Sequence, residues 1–302
     1  MSSKKSQEVN TSDSVIDSES SHGYTSTGAS SVVGTTLNEE FVNEPVISFG
    51  ALPSPPDYRD HIAEKIYKER KRGMRRLRKT TFPNTLDFRP LMQTIVNQGL
   101  QGTCAAQTAV AMKEYQERIE VDLKHRLSAQ FIYNLRSNYP ESGMFGRDVM
   151  KILTDHGVCL ENTYIYGRVQ EADEIPQNAR DEAANYKIKE YARVETLEGL
   201  KESLYRNGPC YISFPVYNSG GNFWIKREGD SYKGGHAVCV AGYNEKGFII
   251  RNSWGALWNL GGCTIYPYEE WGAHYEVWTT IDGPSPQINR PNPPINCQCT
   301  IL

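Results

Sequence analysis

Residues 97–105 read Asn-Gln-Gly-Leu-Gln-Gly-Thr-Cys-Ala, and they place Cys104 directly before a helix-favouring run over residues 105–114. That run is rich in residues of high helix propensity, and it follows a glycine and a threonine that favour a helix start. The dipole and the free N–H groups at a helix N-terminus favour a thiolate over a thiol. We therefore expect Cys104 to be a reactive group rather than an inert core cysteine.

Three further polar residues can complete a reactive site with this thiol. Gln98 lies in the same run, His236 lies in the segment Gly-Gly-His-Ala-Val, and Asn252 lies in the segment Arg-Asn-Ser-Trp-Gly. A thiol nucleophile needs a base to take its proton, a polar group to orient that base, and donors for the oxyanion. Because this set can supply every role, the sequence predicts a cysteine hydrolase.

The two ends of the 302-residue chain differ in composition from its middle. Residues 1–45 are rich in Ser and Thr without a periodic apolar pattern, which is typical of a disordered segment. Residues 46–80 include a strongly basic run, and residues 284–302 form a proline-rich tail. The folded unit is therefore assigned to residues 81–283, which is enough for one domain or two joined lobes.

A basic run over residues 65–79 contrasts with the net charge of −3 for the whole chain. Three interpretations of this run remain open. It is a solvated basic helix or docking segment, a patch for nucleic acid or an anionic membrane, or a site of proteolytic processing. The modest overall charge predicts no polyanion partner for the chain as a whole.

Helix signals dominate the first half of the folded unit, and strand signals dominate the second. Besides the helix after Cys104, helices are expected over residues 128–137, 147–156 and 196–207. Runs of β-branched and aromatic residues predict strands at residues 210–216, 236–243, 247–251 and 275–281. Cys104 then lies on a helical lobe and His236 on a β-rich lobe, so we expect the site in a cleft between them.

The seven cysteines form no recognisable disulfide or metal pattern. Their number is odd, their spacing is irregular, and no CxxC pair has the spacing of a zinc site. The N-terminus lacks an apolar signal core, and no apolar run reaches the roughly 18 residues of a membrane span. The sequence predicts a reduced, non-secreted protein that uses no metal or other cofactor.

The C-terminus offers a different link to membranes. The last four residues, Cys299-Thr300-Ile301-Leu302, fit the C-a-a-X pattern for prenylation, and the terminal Leu favours geranylgeranyl. Since one prenyl chain alone anchors weakly, Cys297 or the basic run would supply a second signal. Two alternatives therefore remain: the chain associates with a membrane through this lipid, or the motif arose by chance.

Several separate motifs occur in the order found in papain-like, cathepsin-type cysteine peptidases, and the chain resembles that family over residues 80–283. The motifs are Leu-Asp-Phe-Arg at 86–89, the 98–104 segment, Leu-Ser-Ala-Gln-Phe at 127–131, Glu-Asn-Thr-Tyr at 161–164, Gly-Pro at 208–209, Gly-His-Ala at 235–237 and Asn-Ser-Trp-Gly-Ala-Leu-Trp at 252–258. Cys104 and His236 are 132 positions apart, within the roughly 130–150 typical of the family. The resemblance implies an α+β fold of two lobes, a helical left lobe and a β-barrel-like right lobe, with the active-site cleft between them.

The resemblance also implies a catalytic role for each matched residue. Cys104 would be the nucleophile and His236 its partner, drawn as a thiolate and an imidazolium before attack. Asn252 would orient the imidazole, and Trp254 would shield Asn252 from solvent. Gln98 would donate its side-chain amide to the oxyanion, together with the backbone N–H of Cys104.

Substrate-binding residues follow from the same alignment. Gly143 and Met144 match the segment that pairs with the substrate backbone. Ala237 would lie near the pocket for the residue two before the cut, and Trp254 is counted with this group. The implied partners are protein or peptide substrates.

Two positions near the nucleophile depart from the family pattern. Gln101 stands where the family has a disulfide-forming cysteine, and Ala105 stands where an aromatic residue usually follows the nucleophile. The usual helical motif of a secretory propeptide is also missing, as in divergent members from microbes and large DNA viruses. These departures agree with a cytoplasmic or virion-packaged protein.

The leading hypothesis is a thiol endopeptidase that hydrolyses peptide bonds through a thioester on Cys104. Residues 1 to about 80 would act as its inhibitor, either by covering the cleft or until they are cut away. Two alternatives remain: a catalytically silent binding protein of the same fold, and an acyl transferase or peptide ligase.

Overall fold

A computed structural model describes residues 48–73, 82–217 and 224–281, all within one unit of the chain. The expectations for residues 1–45 and for the tail at 284–302, with Cys297 and Cys299, concern residues outside these ranges. Within the described ranges, no helix is long and apolar enough to cross a membrane. The same ranges contain no group of three His, Cys, Asp or Glu side chains placed to hold a metal ion.

The helices of the described residues include one that is buried almost throughout. They are α1 (Ala63–Gly73), α2 (Cys104–Val121), α3 (Ala129–Asn134), α4 (Gly146–Asp155), α5 (Gln177–Ala183) and α6 (Leu197–Asn207). In α2, nearly every side chain from Cys104 to Glu117 is buried. The small alanines at its start pack in one core cluster with Tyr211 and Ala237 of the sheet, so α2 can lie close against the strands.

Two side-chain caps account for helix starts. The Ser128 hydroxyl accepts a hydrogen bond from the N–H of Phe131 at 3.1 Å, and the Thr196 hydroxyl accepts one from Gly199 at 2.9 Å. Gly208 ends α6 with a φ of 89°, a backbone angle that suits glycine. The predicted helices are therefore present as α3, α4 and α6, although α3 ends at Asn134, before the expected end at residue 137.

A seven-stranded sheet forms the other half of the fold. The strands of the described residues, of which all but β1 and β3 belong to this sheet, are β1 (Ala51–Leu52), β2 (Leu86–Asp87), β3 (Met144–Phe145), β4 (Glu190–Arg193), β5 (Cys210–Val216), β6 (Gly234–Tyr243), β7 (Gly247–Arg251), β8 (Cys263–Pro267) and β9 (Glu276–Ile281). The sheet order is β4-β9-β5-β6-β7-β8, with β2 paired to β6, and every pairing is antiparallel. β1 and β3 form a separate parallel pair. The four predicted strands are confirmed, whereas β4 and β8 were not expected.

Cross-strand register arranges three side chains of the sheet in one row. Ser213 of β5 pairs with Ala237 of β6 on one side and with Glu276 of β9 on the other. Directly opposed residues share a face of a sheet, and here Ala237 shares the core cluster of Cys104. His236, one position earlier, points to the other face and into an aromatic cluster.

The N-terminal helix α1 is docked against α6. Ala63 and Tyr67 are buried, and the Tyr67 hydroxyl donates to Ser203 Oγ at 3.0 Å. The Glu64 carboxylate accepts the backbone N–H groups of Glu195 and Thr196 at 3.0 and 2.9 Å, where α6 begins. A carboxylate at this end of a helix is favoured by the helix dipole. The docked helix therefore fixes the segment that precedes the main domain.

Replacing Ser128 by alanine removes the cap of α3 and a second hydrogen bond, from the Ser128 hydroxyl to the Tyr164 carbonyl at 2.6 Å. We expect the free energy of unfolding to fall by about 1–2 kcal/mol, measured by chemical denaturation. Ser231→Ala is the control because Ser231 is exposed. Equal losses in the two variants would contradict the capping role.

Candidate active site

Cys104 begins α2 and has no solvent-exposed surface. Burial raises the pKa of its thiol to about 11, and backbone hydrogen bonds from Ala237, Ala105 and Gly50 offset this only in part. The thiol is therefore neutral at pH 7 in this arrangement. In this covered state the loss of hydration outweighs the helix dipole, which on its own favours the thiolate expected from the sequence.

His236 is held between a hydrogen bond and two indole rings. Its Nε2 lies 2.7 Å from Oδ1 of Asn252. Its ring stacks on Trp254 with centroids 4.2 Å apart, and Trp224 meets it edge-on at 5.3 Å. Burial lowers the pKa of His236 to about 4, and the hydrogen bond to Asn252 offsets this in part. The imidazole is therefore also neutral at pH 7.

Asn252 defines which nitrogen of His236 carries the proton. The Asn252 Oδ1 also accepts the N–H of Ser253 at 2.7 Å, which identifies this atom as the carbonyl oxygen. Nε2 of His236 must then donate, and Nδ1 keeps a lone pair. Among the described residues, Nδ1 has no hydrogen-bond partner. Such an imidazole can accept a proton from a thiol.

The side-chain amide of Gln98 is oriented by Ser253. The Ser253 hydroxyl donates to Oε1 of Gln98 at 2.6 Å, and the backbone N–H of Gln98 donates to the Ser253 carbonyl at 2.8 Å. Nε2 is thereby directed at Ser48 Oγ and at the Gln101 carbonyl, each at 3.0 Å. No role was predicted for Ser253, although its position beside Asn252 was a signal.

Residues 48–52, here called the strap, lie across this site. The N–H of Gly50 donates to the Gly235 carbonyl at 2.9 Å, and the Gly50 carbonyl accepts the N–H of Met144 at 2.8 Å. The next two residues form β1, which pairs with β3. Phe49 packs edge-on against Trp254 and His236, with ring centroids at 6.0 and 6.3 Å. The strap therefore covers the residues that could react.

The strap fits into the site because its backbone packs directly against the backbone of the surrounding residues, with no side chain between them. A Cβ on Gly50 would lie 2.0 Å from the Gly102 carbonyl oxygen, and one on Gly235 would lie 1.9 Å from that of Ala51. Gly143 has a φ of 84°, and a Cβ there would lie 2.7 Å from the Gly50 carbonyl oxygen. A side chain larger than hydrogen at Gly50 therefore cannot enter the covered site.

The four residues expected to bind substrate all lie beside the strap. Gly143 and Met144 approach the backbone of Gly50. Ala237 shares a core cluster with Ala51 of the strap, and Trp254 contacts its aromatic ring. The structure thus brings together the residues that the sequence placed in one cleft, and it fills that cleft with the chain itself.

A second group of contacts holds the residues that follow the strap. The Arg147 guanidinium donates two hydrogen bonds to the Asp60 carboxylate, at 2.8 and 2.6 Å, and both side chains are nearly buried. The Ser54 hydroxyl donates to Oε1 of Glu276 at 3.0 Å. Charge-assisted bonds of this kind are among the stronger contacts in proteins. No sequence signal identified these pairs.

A cysteine at a helix start that packs against a sheet, next to a histidine hydrogen-bonded to an asparagine, is typical of the cysteine-protease class of hydrolases. Residues 82–269 match the family described as papain family cysteine protease, and the chain belongs to this family. It is a papain-like cysteine protease, and the predicted α+β two-lobe fold is confirmed.

Relatives of this family come from distant organisms. An uncharacterized peptidase C1-like protein, L477, of Acanthamoeba polyphaga mimivirus is 28% identical over 282 residues, covering 82% of this chain and 90% of that protein. Papain of Carica papaya is 26% identical over 192 residues, covering 60% of this chain and 53% of that protein. The crystal structure of xylellain, a cysteine protease from Xylella fastidiosa, superimposes with a TM-score of 0.65 at 27% identity, covering 78% of this chain and 96% of xylellain.

Substituting Gly50 by valine should open the site in the full-length chain. The new side chain would overlap the Gly102 carbonyl, and overpacking of this kind costs about 1–3 kcal/mol. We expect an epoxide-type thiol-protease inhibitor to label Cys104 roughly 10-fold faster or more, as followed by mass spectrometry. Tyr58→Ala is the control because Tyr58 is 98% exposed. Unchanged labelling of the valine variant would show that the strap does not limit access.

The buried imidazole should make the covered chain sensitive to acid. The pKa of His236, about 4, lies below its ordinary 6.5, so the burial contributes stability that is lost as the pH falls from 6.5 toward 4. We expect the free energy of unfolding to drop between pH 7 and about pH 4.5, and to drop less in His236→Gln. Chemical denaturation at both pH values measures this, with His125→Gln at an exposed histidine as the control. The same drop in all three proteins would refute the assignment to His236.

Proposed function

We propose that this cysteine protease hydrolyses peptide bonds within proteins through a thioester on Cys104, with His236, Asn252 and Gln98 as its catalytic partners. The hydrogen bond of 2.7 Å between His236 and Asn252 carries the proposal, because it leaves Nδ1 as the basic atom of the imidazole. The backbone N–H of the adjacent Ala237 donates to the Cys104 sulfur, which places the backbone of β6 at His236 next to the thiol. The stacked Trp254 shields the His236–Asn252 bond from water.

In the proposed reaction, His236 Nδ1 takes the thiol proton and the sulfur of Cys104 attacks the substrate carbonyl. The oxyanion accepts hydrogen bonds from Nε2 of Gln98 and from the backbone N–H of Cys104. The imidazolium then protonates the leaving amine. A water molecule deprotonated by His236 finally releases the acid product and restores the thiol.

We further propose that the strap holds the enzyme in a latent state. Ser48 accepts the hydrogen bond that Gln98 would give to the oxyanion, and Gly50 occupies the N–H of Met144. Burial under the strap raises the pKa of Cys104 and lowers the pKa of His236, which keeps both groups neutral at pH 7. Departure of the strap would admit water, free the Gln98 amide and favour the charged pair.

The same contacts support a mode of substrate binding. The strap offers an extended backbone to Gly143 and Met144, next to Ala237 and Trp254. A substrate strand can use the same backbone donors and acceptors once the strap has left. The Met144 N–H and the Gly235 carbonyl would then hold the substrate backbone on either side of the cleft.

Removing residues 1–79 tests the latency and the activity together. We expect turnover of a small fluorogenic peptide amide to rise at least about 10-fold over the full-length chain, because the covering contacts are lost. Cys104→Ala in the shortened chain should remove turnover by several orders of magnitude, as measured by initial rates.

The outcomes of this comparison separate the two proposals. Equal rates for the long and short chains would contradict the proposed latency but not the proposed peptidase activity. Turnover that survives Cys104→Ala would exclude the thioester. Product analysis with added amine nucleophiles distinguishes hydrolysis from peptide ligation, and no observation in the described residues favours ligation or a silent binding role.

Two further proposals concern the surroundings of the enzyme. The five cysteines within the described ranges are free and buried, which supports a reducing compartment such as the cytoplasm or a virion. Lys65, Lys68 and Arg70 of α1 are exposed, which supports contact with an anionic surface such as nucleic acid or a membrane. Binding of the full-length chain to anionic vesicles and to single-stranded DNA at two salt concentrations tests the second proposal.

A further inference from the structure

A loop without regular secondary structure leads into the segment that contacts the strap. This loop, residues 135–143, connects α3 to β3 through turns and bends, and we name it the wall loop. It contains no cysteine, so no disulfide holds it in place. Its last residue, Gly143, and the following Met144 lie directly against the Gly50 backbone, where hydrogen bonds require accurate placement. A loop in this position needs an internal support, and buried side chains provide one.

Two side chains fix both backbone polar groups of Gly143. Tyr133 lies near the end of α3 and is 2% exposed. Its hydroxyl accepts the N–H of Gly143 at 3.1 Å, and Nδ2 of Asn138 donates to the Gly143 carbonyl at 3.1 Å. Gly143 has a φ of 84°, in a region that glycine enters freely, so its conformation depends on these contacts. The two bonds therefore decide where the N–H of the next residue, Met144, points.

The guanidinium of Arg136 closes the wall loop. Its Nη1 donates to the Tyr133 carbonyl at 2.8 Å, and its Nε donates to the Glu141 carbonyl at 2.9 Å. Its Cζ lies 4.0 Å from the ring centroid of Tyr133 and 5.1 Å from that of Tyr139. Cations are attracted to aromatic faces at such distances. One side chain thus joins the end of α3 to the far end of the loop and holds the Tyr133 ring.

No acidic group explains the buried charge of Arg136. The residue is 4% exposed, and burial lowers the pKa of its guanidinium. Among the described residues no carboxylate offsets this shift, whereas the buried Arg147 is paired with Asp60. A buried cation without an acidic partner costs free energy. A planar guanidinium can bond two carbonyls while it stacks on a ring, and an ammonium cannot. The order that Arg136 gives to the wall loop therefore explains its presence.

We propose that Tyr133 and Arg136 are positioning residues, which hold Gly143 and Met144 ready for the backbone of the substrate. This inference rests on the proposed peptidase function. Tyr133 acts through its bond to Gly143, and Arg136 acts through Tyr133 and the wall loop. A segment that is already held in its binding conformation loses less freedom when the substrate arrives, which strengthens binding. Loss of either side chain should therefore weaken substrate binding and leave the chemical step unchanged.

The test uses the full-length chain carrying Gly50→Val, so that the cleft is open and the rest of the protein is retained. Two substrates are compared: a fluorogenic peptide amide with several residues before the cut, and a single-residue ester, which has no second residue to pair with Met144. Tyr133→Phe removes only the hydroxyl. We expect it to raise KM for the peptide about 5- to 10-fold and to keep kcat within about 2-fold. For the ester, kcat/KM should stay within about 2-fold.

Arg136→Lys tests the second residue, because it keeps the charge and loses the planar fork that reaches two carbonyls. We expect KM for the peptide to rise about 10-fold, again with kcat unchanged and the ester unaffected. Arg168→Lys is the matched control, since the Arg168 side chain is 78% exposed. Equal losses on peptide and ester would overturn the proposal by showing general damage, as would a fall in kcat alone. An unchanged KM in both variants would overturn it too.

Hydrogen exchange followed by mass spectrometry separates this proposal from the proposed function. In the same full-length parent, we expect Tyr133→Phe to speed amide exchange over residues 139–144 by about 5-fold or more and to leave α2 unchanged. Unchanged exchange would overturn the positioning role even in an active enzyme. A parent that turns over neither substrate refutes the proposed function. Faster exchange in Tyr133→Phe would then show that the hydroxyl fixes the segment, and the claim about substrate binding would fall with the peptidase.

Discussion

Direct contact between backbones in the strap and in both walls of the cleft is the constraint on which the site depends. Gly50 lies against Gly102 and Gly143 at separations that admit no Cβ atom. Its N–H and carbonyl are both paired, with Gly235 and Met144, so the covered cleft needs no water to satisfy them. The neutral thiol, the neutral imidazole and the occupied Gln98 amide all follow from this exclusion of water.

The same exclusion decides how the charges behave. A helix N-terminus and a partner imidazole both favour a thiolate, but neither replaces the hydration that a charged sulfur loses on burial. Burial moves the pKa of Cys104 up to about 11 and that of His236 down to about 4, so both shifts favour the uncharged pair. The chemistry of the site is therefore set by what covers it as much as by the residues that form it.

Local signals explain what the sequence alone could predict. The helix start at Cys104, the caps of α3 and α6, and the strands β5, β6, β7 and β9 all depend on residues that are close in the chain. The order of the motifs then indicated the fold of the papain family. The geometry of the site residues agrees with the roles assigned to them.

Contacts between distant residues explain what the sequence could not predict. Arg147 and Asp60 are 87 positions apart, and Ser54 and Glu276 are 222 apart, so no local pattern marks either pair. The strap is a short, mostly apolar segment that contains a glycine and has no periodicity of its own.

Docking of α1 on α6 has a further consequence for the strap. Tyr67 and Glu64 anchor the helix at a point separate from the cleft, so a strap that lifts away remains tethered close by. Return to the cleft is then an intramolecular step with a high effective concentration, and weak local contacts suffice to keep the cleft occupied. One cut in the chain between α1 and residue 82 would leave the strap tethered by the docking of α1, and loss of the whole segment would then depend on dilution.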